Sequence, residues 1–71
     1  MKRPILLGFA KRVRAERKRM GLSQEDFAEK AGFHRTYIGM IERAEKNITL
    51  ANIEKVSKAL KISLSELFKC L

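Results

Sequence analysis

In the segment FHRTYI, residues 33–38, four side chains with hydrogen-bonding heads fall within one helical turn: His34, Arg35, Thr36 and Tyr37. Phe33 and Ile38 flank them at the spacing of a hydrophobic staple, so a helix begins here. His34 holds the cap position and Tyr37 the third helical position, where a small hydroxyl or carboxylate cap and an acidic residue would stabilise the start better. A helix entry that is kept while the residues best suited to it are absent points to outward-facing duties for this turn. The chemistry on offer is hydrogen bonding and positive charge. No nucleophile stands beside a base, no glycine-rich loop suits a phosphate, and a single His34 with a single Cys70 makes no zinc-binding cluster. Catalysis, metal and cofactor are therefore not expected, and Cys70 reads as a small apolar residue of a terminal helix.

Charge narrows the partner. Sixteen Lys and Arg against eight Asp and Glu give the 71-residue chain a net charge of +8. The excess is concentrated in residues 1–20, where Lys2, Arg3, Lys11, Arg12, Arg14, Arg17, Lys18 and Arg19 face Glu16 alone. Such an imbalance suits a polyanion, either nucleic acid or an acidic membrane. No stretch of about 18 apolar residues is present to cross a bilayer. The start MKRPILLGFAKRVR imitates the head of a signal peptide, but its apolar run is short and no small-residue cleavage site follows, so it reads as mature sequence. With one cysteine, a reducing cytoplasm fits.

The elements that must position the 34–37 turn are helices. Apolar residues recur at three and four, with no useful alternating pattern, so the expected class is all-α. A first helix runs from about Pro4 to Met20 and stops at Gly21. Three further starts share one grammar: Leu22 before Ser23, Ile48 before Thr49 and Ile62 before Ser63, each an apolar residue ahead of a hydroxyl cap. They predict helices over about 24–31, 50–60 and 64–70, with the odd helix over 34–44 between them. The whole of 1–71 is expected to form a single domain. Chains this short bury only about 60% of the surface that unfolding exposes, which leaves little room for an enzyme pocket.

Two charges interrupt the apolar stripes, Arg17 in the first helix and Glu42 four residues past Ile38. A lone buried charge is costly, so pairing the two across the core is the economical arrangement. The alternative is that both side chains extend to solvent.

Helices 24–31 and 34–44, joined through AGF, have the shape of a helix-turn-helix, spanning about 23–43. The stretch LSQEDFAEKAGFHRTYIGMIERAEKNITLANIEKVSKALKISLSEL resembles the lambda-repressor-like, Cro-type (XRE) helix-turn-helix family over about residues 9–68. The shared features are the Leu-Ser-Gln-Glu opening, the Ala-Gly turn, the Ile-x-x-Ile-Glu ending and a two-helix finish. That resemblance implies a compact five-helix DNA-binding domain whose third helix enters the major groove of a double-stranded operator. It implies base reading by Arg35 and Thr36; Tyr37 is a further candidate that could reach a base or a phosphate, unless partial packing against the second helix takes it from the surface. It implies phosphate-backbone contacts by Ser23, Gln24, Arg43, Lys46 and Asn47, with Gln24 also bracing Arg35. An Arg fork suits the O6 and N7 acceptors of guanine, and Thr36 can meet a base or a thymine methyl. Ala44 departs from the family, which often has Gly there, and His34 departs from its small polar cap.

A short recognition helix reads few base pairs, so the family's two-fold homodimer is expected, with recognition helices about 34 Å apart. Leu64, Leu67, Phe68 and Leu71 of the last helix are the candidate seam, Phe68 and Leu71 being the better placed. Within the family, HRTYIGMIERAEKNITL looks most like the controller proteins of restriction-modification systems; phage Cro-like repressors and antitoxins are the alternatives. RNA polymerase is a further candidate partner, and no small-molecule ligand is evident. The rival classes are a basic amphipathic membrane-surface protein and an RNA binder. The first would need no capped helical bundle, and the second would need a stacking platform that Tyr37 alone does not supply.

Overall fold

A computed structural model of the chain describes residues 3–69; Met1, Lys2, Cys70 and Leu71 lie outside the described residues. Five helices follow one another: α1 (Pro4–Arg19), α2 (Gln24–Ala31), α3 (Arg35–Glu42), α4 (Leu50–Leu60) and α5 (Leu64–Leu67). Among the described residues there is no strand, and no helix is long and apolar enough to cross a membrane.

The helix starts follow the local chemistry. Pro4 occupies the first turn of α1, where its missing N–H costs nothing. Ser23, Thr49 and Ser63 each accept a hydrogen bond from the backbone N–H three residues on, at 3.0, 3.1 and 3.0 Å. His34 is a working cap as well: its Nδ1 accepts from the Thr36 N–H at 3.2 Å. The reading of this start as poorly capped is thereby corrected, because an imidazole nitrogen in the acceptor state can do the work of a hydroxyl.

The helix ends share one geometry. After α1, α2, α3 and α4 the chain turns through a residue with positive φ, namely Gly21, Gly32, Ala44 and Lys61. In each case the following N–H reaches back to the carbonyl five residues earlier: Leu22 to Arg17, Phe33 to Ala28, Glu45 to Met40 and Ile62 to Ser57. This is the Schellman arrangement, which uses carbonyls that the helix leaves orphaned. It also sets the length of α3, which ends at Glu42 rather than at 44. After three of these turns, Leu22, Phe33 and Ile62 serve twice, closing one helix and preceding the cap of the next.

The five helices enclose one core. Phe27, Ile38, Leu60, Leu67, Val13 and Val56 are fully buried, with Phe9, Ala28 and Ile41 beside them. Burying a side chain of this kind contributes about 1.5–3 kcal/mol, so α3 is anchored through Ile38 and Ile41 by the core face opposite its exposed turn. α5 is shorter than the sequence suggests. It closes at Leu67, with Leu67 in the core and Phe68 stacked on Phe9 at 5.5 Å between ring centroids. Of the expected seam, Leu67 is wholly interior and is corrected to a core residue, Phe68 is half-buried beside Phe9, and Leu71 falls outside the described residues. Exposed apolar surface lies on Leu64, 36% exposed, and Leu50, 74% exposed, and also on Ile5 and Leu7 of α1. Together with Ala51 and Glu54, Leu64 and Leu50 line a shallow groove between the starts of α4 and α5.

Candidate nucleic-acid interface

The buried face of α3 determines what its other face can offer. With Ile38 and Ile41 in the core, the first turn puts Arg35 and Thr36 at the surface and leaves Tyr37 half-buried. Among the described residues no acidic side chain pairs with Arg35, so its guanidinium keeps its full set of donors. The His34 cap uses the Thr36 backbone N–H and leaves the Thr36 hydroxyl exposed.

At the other end of α3 lies a polar bracket around Glu42. Arg17 Nε and Nη2 donate to the two carboxylate oxygens of Glu42 at 2.6 and 3.0 Å, a bidentate pair with side chains only 9% and 3% exposed. Arg17 Nη1 donates to the Leu22 carbonyl at 2.7 Å, and Gln24 Nε2 donates to Glu42 Oε1 at 3.2 Å. The Arg17–Glu42 pair thus joins α1, the loop before α2, the start of α2 and the end of α3. Among the described residues no buried side-chain polar atom lacks a partner, which is the condition under which a buried ion pair is tolerable. The arrangement ties α3 to α1 and α2, and it holds the Gln24 amide on Glu42, at the opposite end of α3 from Arg35.

Of the residues with expected backbone roles, Ser23 caps α2 through its oxygen, leaving its hydroxyl proton unused by that bond. Lys46 and Asn47 are exposed in the 43–49 loop. Arg43 is engaged within the protein: its Nε donates to Glu45 Oε1 at 3.0 Å, and its guanidinium lies across Gly39, where a Cβ would come 3.0 Å from Nη1. Ala44 takes the left-handed conformation at φ 58°, so the loop turns where a glycine would turn despite the methyl group.

Three contributors escape a sequence reading. Gly39 gives Arg43 its berth. Asn52 Nδ2 donates to the Tyr37 hydroxyl oxygen at 3.0 Å, and Lys55 Nζ sits 5.3 Å from the centre of the Phe33 ring, which itself packs 4.9 Å from Tyr37. Asn52 and Lys55 are three apart on α4, which is a sequence signal for a shared face, but nothing in the sequence assigns that face to α3.

The basic amino-terminal helix is partly neutralised. Arg19 and Arg12 both pair with Glu16, and Arg12 also reaches Glu66 at 3.6 Å. The hydrogen bond from Arg19 is the chief reason that the Glu16 carboxyl is held below its ordinary range; burial opposes the shift, while the charges of Arg19 and Arg12 add to it. Arg3, Lys11, Arg14 and Lys18 stay exposed and unpaired among the described residues. Groups of three or more possible metal ligands are absent from the described residues.

Two short helices meeting at a left-handed glycine, the second braced at its far end and presenting Arg35 and Thr36 outward, define a helix-turn-helix protein. The Helix-turn-helix family model matches residues 13–67. The control protein C.SmaI of Serratia marcescens is 48% identical, covering 82% of this chain and 69% of that protein. In the solved structures, the restriction-modification controller protein C.AhdI of Aeromonas hydrophila superposes with a TM-score of 0.83 at 44% identity, covering 87% of this chain and 94% of that one. The restriction-modification controller protein C.Esp1396I, solved as a tetramer in complex with its natural 35 base-pair operator, matches with a TM-score of 0.89 at 32% identity over 96% of this chain and 90% of that one. The chain belongs to the helix-turn-helix family and is similar to its restriction-modification controller proteins.

Proposed function

We propose that this chain is a sequence-specific, double-stranded DNA-binding transcription regulator that controls a restriction-modification system, acting in the cytoplasm by binding rather than catalysis. The observation that carries this reading is Arg35, exposed at the first turn of α3 with no ion-pair partner among the described residues, on a helix whose opposite face is core. A guanidinium left free in this way can make the bidentate contact to guanine O6 and N7. Thr36 and Tyr37 join it as base-reading residues. Ser23, Gln24, Lys46 and Asn47 hold the phosphate backbone and set the register, while Arg43 acts from beside Gly39.

The operator in this reading is two-fold symmetric and is bound by a homodimer, because one α3 spans few base pairs. The dimer buries the Leu50 and Leu64 surface, one of two apolar areas that the monomer leaves open, the other being Ile5 and Leu7 on α1. C.Esp1396I, with its operator complex, supports the same mode of action.

Selection of bound duplexes from a random-sequence pool tests the reading. A consensus with two symmetric half-sites is expected; recovery of no preferred sequence at moderate salt would refute it.

A further inference from the structure

The contact between α4 and the recognition helix is made by hydrogen-bonding groups with a definite polarity. Asn52 is the third residue of α4, and its own backbone N–H is held by Thr49 Oγ1, so its amide is fixed at the base of that helix. That amide donates to the Tyr37 oxygen at 3.0 Å. The ring also packs on Phe33, tilted 48° at 4.9 Å, and Phe33 in turn lies under Lys55.

A phenol has one proton to give and lone pairs to receive with. With a lone pair engaged by the amide, the Tyr37 proton points away from Asn52. Among the described residues no acceptor takes it. A hydroxyl that is already receiving a hydrogen bond is also a stronger donor.

We propose that Asn52, outside the helix-turn-helix, is a positioning residue for recognition: it fixes Tyr37 as a hydrogen-bond donor, so that Tyr37 selects a base edge presenting an acceptor. In the major groove such edges are guanine O6 and N7, adenine N7 and thymine O4, whereas cytosine presents the N4 donor. This inference rests on the proposed DNA-reading role of Tyr37 and adds to it the chemical sense of the contact and its source.

The test is selection from a random duplex pool, read as relative preference at each position, with wild type, Tyr37→Phe, Asn52→Asp and Asn52→Ala. Aspartate is well suited to the first turn of α4, and Thr49 still caps that helix, so thermal unfolding should show each variant folded. Relative preference also cancels any uniform loss of affinity from the added negative charge. Tyr37→Phe is expected to lose about tenfold preference at one base pair per half-site. Asn52→Ala should weaken preference at that same base pair. Asn52→Asp supplies only acceptors, so it captures the Tyr37 proton, and preference at that base pair should shift toward a base presenting a donor. A purely structural role for Asn52 would leave that identity unchanged.

If Asn52→Asp keeps the wild-type choice at the base pair that Tyr37→Phe loses, the Asn52 inference is overturned and the Tyr37 reading stands. If Tyr37→Phe leaves every preference intact, or weakens all sequences alike, both are overturned.

Discussion

Glu42 and Arg17, 25 residues apart, face each other through two hydrogen bonds of 2.6 and 3.0 Å in the interior of the protein. Removing one partner strands the other charge in a buried setting, which costs about 3–5 kcal/mol, while removing both is far milder. Arg17→Met and Glu42→Gln are therefore each expected to be strongly destabilised, and the double variant is expected to lose much less than the sum. Urea unfolding of all four proteins measures this. Strict additivity would mean that the pair is not coupled.

Ala44 and Lys61 hold nearly the same left-handed conformation, at φ 58° and 60°, but differ in burial. For an L-residue this conformation costs about 1–2 kcal/mol, part of which glycine returns through its freer unfolded chain. Lys61 is exposed, so Lys61→Gly is expected to stabilise the protein by about 0.5–1 kcal/mol. The Ala44 methyl is buried, and its loss should bring Ala44→Gly close to neutral. Thermal melts of the two variants compare the sites; a destabilised Lys61→Gly would contradict the strain assigned there.

The dimer surface can be tested by charge. Leu50→Glu and Leu64→Glu place carboxylates on the exposed apolar groove of α4 and α5 and are expected to give folded monomers by sedimentation at micromolar concentration. Wild type should sediment as a dimer. A monomeric wild type, or dimeric variants, would remove this surface from the account.

Acid should act through Glu16. Its folded carboxyl lies below the ordinary range because Arg19, and then Arg12, favour the charged form. Its contribution to stability is thus fully present above the ordinary carboxylate range and is lost as pH falls through the lowered folded value. Glu16→Gln should be less stable than wild type near neutrality, and the gap should close in acid. NMR titration of the Glu16 carboxyl checks the cause directly: a midpoint at or above that of an exposed glutamate would contradict it.

Local chemistry was readable in the sequence, and long-range geometry less so. Ser23, Thr49 and Ser63 could be recognised as caps because each acts on an amide three residues away. Gly21 and Gly32 signal their turns by residue type, whereas Ala44 and Lys61 make the same turn with residues that disfavour it. Arg17 and Glu42 stood out as charges within apolar stripes. At the last helix, periodicity could not separate Leu64 from Leu67, because a helix of four residues shows too little of its face pattern. The stacking of Phe68 on Phe9 decides which side turns inward. Asn52 was invisible as a partner of Tyr37, since the two meet only when α4 packs beside α3.

The central claim is that the first turn of α3 reads bases while the neighbouring loop holds phosphates. Arg35→Ala and Lys46→Ala separate these roles in a competition assay between the selected operator and its single-base variants at several salt concentrations. Arg35→Ala is expected to lose about 1–3 kcal/mol of discrimination at one base pair per half-site. Lys46→Ala should weaken all sequences alike and flatten the salt dependence by about one unit. An Arg35→Ala protein that keeps the wild-type base preference at every position would contradict the claim.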